Sequence, residues 1–187
     1  MLLISIRLFK IAGGVGFIIS IIIDLTFALR YFNLYLVSMY PVGILLRAIA
    51  WYALGERLKN DFLKMTGIAI TVMGFSMAAF FTVVSRQILY FLDPLILIPL
   101  AIWAAYSIFE LRNYWSLTRF RLAFGYAKIS FVGLIMVCVS AILFLYFEPA
   151  GYSDFALILW RLGFLTLAVA SCFATYGFLK YQSALHS

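Results

Sequence analysis

The chain has 187 residues, of which 66% are hydrophobic and 11% charged, and its formal net charge is +7. Soluble domains sit near a half apolar and a quarter charged, so this composition excludes an ordinary soluble domain and indicates a membrane protein. A membrane-spanning helix needs about 20 apolar residues, so the length fits about six spans with no space for a soluble domain of about 100 residues.

Arg7 and Lys10 precede the first apolar run, as in a signal peptide. No small-x-small cleavage site follows and Asp24 interrupts the run, so the segment is expected to stay as the first helix. Six runs are predicted as spans, at about 11–29, 36–54, 62–85, 88–109, 126–147 and 156–179. All are too long for strands, and in lipid each backbone amide must find its partner within the segment, which forces helix. The expected fold is therefore all-α, a polytopic membrane protein in a single domain over 1–187, built as an antiparallel bundle of hairpins. Pro94 is expected to start the fourth helix and Pro99 to kink it.

Charge placement sets the orientation. Arg7 and Lys10, then Arg57, Lys59 and Lys64, then Arg112, Arg119, Arg121 and Lys128, and finally Lys180 all fall on one side of a six-span alternation. Arg30, Arg86, Asp93, Glu148, Asp154 and Arg161 fall on the other and are read as a solvated rim. Basic residues stay cytoplasmic, so both termini are expected in the cytoplasm and the chain in the cell membrane. The longest connection, 110–125, carries Tyr114, Trp115 and Phe120 among its arginines. Arg112, Trp115, Arg119, Arg121 and Lys128 form a candidate surface for anionic lipid headgroups or for a soluble partner.

The first hairpin holds the candidate polar site. Asp24 and Arg47 are charges inside apolar runs, at similar depth from the outer turn. A charge near the centre of a span costs about 2.5–3.5 kcal/mol, so both are expected to face the bundle interior and to pair. The pair is read either as structural or as a site for a proton, ion or charged substrate. Ala12, Gly16 and Ser20, spaced four apart, form a small-residue stripe on one face of the first helix, suited to a close contact within the chain or with another subunit. Shorter stripes recur at Gly67 with Thr71, Gly74 with Ala78, and Ala170 with Ala174.

Other chemistry lacks its parts. His186 is the one histidine, which leaves no axial pair for haem and no histidine-rich metal site. Neither a phosphate-binding glycine loop nor a serine–histidine constellation occurs, and the five lysines sit near cytoplasmic ends. Cys138 and Cys172 lie in different runs and are expected to be small core residues rather than a disulfide. The tryptophans, Phe and Tyr are read as core and interface belts rather than a ligand pocket. No cofactor, metal, nucleic-acid partner or enzymatic activity is expected.

A faint repeat follows the cytoplasmic turns: Phe62 to Gly67, Phe120 to Gly125 and, more loosely, Leu8 to Gly13. The glycine-opened first helix, the turn Gly55-Glu56-Arg57-Leu58-Lys59-Asn60-Asp61-Phe62 and the Phe120-to-Gly125 turn resemble a group of small archaeal multi-pass membrane proteins without assigned function. That resemblance implies a fold and carries over no site residues. Minimal loops, absent chemistry and the stripe on the first helix favour a non-catalytic small subunit or scaffold of a larger membrane complex, or a homo-oligomer. The alternative is a small transporter or channel, including the substrate-binding component of an uptake system, using Asp24 and Arg47.

Overall fold

The computed structural model describes residues 6–29, 39–84, 105, 107–113, 121–147 and 153–180. Their regular structure is all α-helical: α1 (Ile6–Ala28), α2 (Tyr40–Leu58), α3 (Asp61–Val84), α4 (Arg121–Phe147) and α5 (Ser153–Lys180). Residues 107–113 are also helical. Five of the expected runs match these helices to within a few residues. Most of the fourth run, with Pro94 and Pro99, lies outside the described residues. Its end is corrected, because 110–113, expected in a connection, continue as helix.

Among the described residues, three helical segments are long and apolar enough to cross a membrane: Arg7–Ala28, Tyr126–Phe144 and Asp154–Lys180. Their outer faces are apolar. On α1, Ile11, Val15, Ile18, Ile22 and Leu25 are exposed at alternating steps of four and three, one helical stripe. On α5, Phe155, Ile158, Leu162, Leu165 and Val169 repeat the pattern. Polar side chains meanwhile collect inside, with Ser20, Asp24, Arg47, Glu110, Asn113, Ser130, Ser140 and Ser171 all buried. Apolar exterior with polar interior is the arrangement that suits hydrocarbon, where polar groups must be satisfied within the protein.

The helices stand in the spatial order α3, α2, α1, α5, α4. Proline in the first turn starts α2, where its missing N–H costs no hydrogen bond. The helix ends at Lys59, whose φ of 50° is left-handed. The Asn60 and Lys59 amides then donate to the carbonyls of Gly55 and Glu56, at 2.9 and 3.3 Å. Asn60 caps the next helix, its Oδ1 accepting from the amides of Phe62 and Leu63 at 3.0 and 3.4 Å. A Cβ on Gly55 would lie 2.6 Å from the Lys64 nitrogen, so this tight turn needs glycine. Lys64 bridges Glu56 at 2.8 Å and Asp61 at 3.1 Å, an exposed pairing that contributes little.

Candidate functional site

Glycines set how closely the helices approach the site. At the crossing of α1 and α2, a Cβ on Gly16 would lie 2.9 Å from both the Arg47 Cγ and the Gly43 carbonyl. The small-residue stripe therefore packs within the chain at Gly16. Ala12 and Ser20 are buried with it. Two and three residues before Gly16, Gly14 and Gly13 receive Leu179 and the Phe178 ring of α5. A third close crossing joins α4 and α5 at Gly133 and Gly163, each within about 3 Å of the other's carbonyl if given a Cβ.

Removing side chains at the first crossing lets Arg47 reach across the bundle. Its Nε donates to Glu110 Oε1 at 3.1 Å while Nη2 donates to Glu110 Oε2, a bidentate ion pair between two buried side chains. Nη1 donates to Ser20 Oγ at 2.8 Å, and Nη2 also reaches the Tyr126 hydroxyl at 3.3 Å. Ser20 Oγ donates in turn to the Gly16 carbonyl at 3.2 Å. The guanidinium carbon sits 4.2 Å from the centroid of the Phe17 ring, a cation–π contact. Trp51 Nε1 donates to Glu110 Oε1 at 2.8 Å. One arginine thus ties α1, α2, α4 and the 107–113 helix together.

The partner differs from the one expected. Asp24 is buried in the same region, but the carboxylate that grips Arg47 is Glu110, and among the described residues no ion pair joins Asp24 to Arg47. The physical reason is geometry: Glu110 presents both oxygens to the flat guanidinium, which a bidentate fork favours over a single-point contact. Glu110 was hidden because it directly follows an apolar run and looked like the first residue of a cytoplasmic connection. Its signal was the lone acid between Phe109 and Leu111 at the end of a helical pattern.

Asp24 instead lines a partly open cavity of about 20 Å³. Such a space holds about one water. The hydroxyl-bearing residues Ser20, Tyr40, Ser107, Tyr126, Ser130 and Ser171 line it too, with Arg47 and Leu167. The aromatic residues near the site are core: Phe17 meets Tyr126 edge-on at 5.4 Å and Phe178 face-on at 5.7 Å, and Trp51 meets Phe178 edge-on. Trp160 packs between Phe27, Phe144 and Phe164 and donates to the Phe27 carbonyl at 3.0 Å. Trp103 and Trp115 lie outside the described residues.

Of the basic aromatic surface, Arg112 is exposed with its guanidinium 4.6 Å from the Phe62 centroid, and Lys128 is exposed on α4. Arg119 falls outside the described residues, and Arg121 begins α4. Next to Arg112, Asn113 is buried and accepts from the Thr66 hydroxyl at 3.1 Å, tying the 107–113 helix to α3. Cys138 is half-buried against the core, whereas Cys172, expected inside, is exposed on α5. The outer-rim residues Asp154 and Arg161 are exposed, and Arg30, Arg86, Asp93 and Glu148 lie outside the described residues. Among the described residues no group of three His, Cys, Asp or Glu side chains gathers as a metal site would require.

Comparison with known protein families, curated proteins and solved structures gives no match.

Proposed function

We propose that the protein is a six-span integral membrane protein of the cell membrane, with both termini cytoplasmic, acting as a non-catalytic small subunit or scaffold of a larger membrane complex. The observation that carries this reading is the Arg47–Glu110 pair. It commits two buried opposite charges to one another, with Ser20, Tyr126 and Trp51 adding hydrogen bonds. A buried ion pair of this kind fixes one packing arrangement more readily than it adds stability. The cavity beside it has space for about one water or a small ion. Exposed Arg112 and Lys128 supply cationic groups for anionic headgroups or for a partner at the cytoplasmic face. Purification in mild detergent tests the reading: other membrane proteins should accompany the chain in fixed ratio. A lone monomer, without partners at any detergent strength, would contradict it.

A second reading, a small transporter or channel, is favoured by one observation: Asp24 faces a polar cavity rather than a partner side chain. Proteoliposomes containing the protein alone separate the two. Ion flux that Asp24→Asn abolishes belongs to the transport reading, and tight vesicles belong to the subunit reading.

A further inference from the structure

Among the described residues around the cavity, Arg47 and Glu110 neutralise each other through a two-pronged contact, so Asp24, when ionised, adds one negative charge without a countercharge of its own. Asp24 is only 7% exposed, so it is more than nine-tenths buried. Among the described residues it has neither a hydrogen bond nor an ion pair, although Arg47 acts on it electrostatically. A buried, ionised carboxylate in that position is costly unless positive charge reaches it. Among the described residues, the groups that line the cavity with it are Ser20 from α1, Arg47 and Tyr40 from α2, Ser107 from the 107–113 helix, Tyr126 and Ser130 from α4, and Leu167 and Ser171 from α5. Apart from Arg47 and apolar Leu167, all of these end in hydroxyl oxygens, which are hard ligands and proton carriers. A divalent ion would leave excess positive charge beside Arg47 and would want six or more oxygens, several of them charged.

We propose that the Asp24 cavity is a binding site for one small monovalent cation, held by the Asp24 carboxylate and the surrounding hydroxyls. The same chemistry has two sources. A proton delivered from hydronium converts the carboxylate to the neutral acid, one O–H bond forming on Asp24 as one breaks on the hydronium, which leaves as water. A sodium ion is coordinated by the carboxylate and neighbouring hydroxyls with no covalent change. The site rests on α1 lying in the membrane but is independent of the choice between subunit and transporter.

The test uses the full-length protein in detergent. Infrared difference spectra between neutral and alkaline pH follow the carbonyl stretch of a protonated carboxylic acid. Thermal unfolding at constant ionic strength compares sodium with choline. A proton site gives a carbonyl band that titrates and is lost in Asp24→Asn, displaced in Asp24→Glu and unchanged in Asp154→Asn, whose carboxylate is exposed. A sodium site gives a Tm that rises with sodium and loses that rise in Asp24→Asn, with the carbonyl band suppressed by sodium. Should Asp24→Asn fail to fold, the displaced band of Asp24→Glu and a weakened response in Ser130→Ala with Ser171→Ala carry the same decision. Absence of a titrating band together with a Tm indifferent to sodium overturns the proposal, as do responses that persist in Asp24→Asn. Whether the chain needs detergent to leave the membrane is measured separately, so failure of the membrane reading is distinguishable.

Discussion

Glu110 accepts from Arg47 twice and from Trp51 once, so its two oxygens are held by groups on α2. Trp51 also packs edge-on against Phe178 at 5.5 Å, which separates its two roles. Trp51→Phe keeps an aromatic ring there and removes the N–H donor. We expect a loss of about 1–3 kcal/mol, the scale for weakening a buried charged acceptor, read by thermal unfolding in detergent. Trp51→Leu, which also gives up the ring contact, should be worse. That Arg47 has a polar role was legible from its position in an apolar run, since an isolated charge there must find company. Its partner was not legible. Glu110 lies 63 residues away, and sequence shows where an apolar run stops but not that the helix continues past it. Asp24, the nearer acid in sequence, took the role that proximity along the first hairpin indicated.

At the scale of helices, the close crossings make opposite predictions for two glycines. Gly16→Leu would drive a side chain into the α2 backbone at Gly43 and into Arg47, displacing the guanidinium from Glu110. Overpacking typically costs about 1–3 kcal/mol, and here it adds the disturbance of the ion pair, so the variant should unfold at markedly lower temperature or fail to accumulate. Gly177 has open space where a Cβ would stand, and Gly177→Ala should be neutral or stabilising by about 0.5–1 kcal/mol, since glycine weakens helix interiors. Parallel thermal melts of the two variants check both directions. The face of the stripe was legible from four-residue spacing, which fixes which side chains share a helix face. Which helix fills that face was not, because spacing carries no information about neighbours. The same helix offers Gly13 and Gly14 to α5 on a second face, and the two faces look alike in sequence.

Among the described helices of the molecule, the order α3, α2, α1, α5, α4 places the first helix at the centre, with both of its small-residue faces occupied. Among the described residues its exposed apolar stripe, with Ile11, Val15, Ile18, Ile22 and Leu25, is the face of α1 offered to lipid or to an additional subunit. The proposed topology puts the turn between α2 and α3 in the cytoplasm and the start of α5 outside. In a background with Cys138 and Cys172 replaced by alanine, Asp61→Cys should react with a membrane-impermeant thiol reagent only after the membrane is opened, and Asp154→Cys in intact cells. Both positions are exposed, so accessibility reports the side of the membrane rather than burial.

Arg47 and Glu110, rather than Arg47 and Asp24, form the ion pair that locks this bundle. A double-mutant cycle in thermal or denaturant unfolding measures it directly, using Arg47→Met, Glu110→Leu and Asp24→Asn, each alone and in pairs. Arg47→Met and Glu110→Leu should each cost about 3–5 kcal/mol, because each leaves a buried charge without its partner, and the double variant should cost far less than their sum. Arg47→Met with Asp24→Asn should couple more weakly. Additive losses for Arg47 and Glu110, or stronger coupling of Arg47 to Asp24, would contradict it.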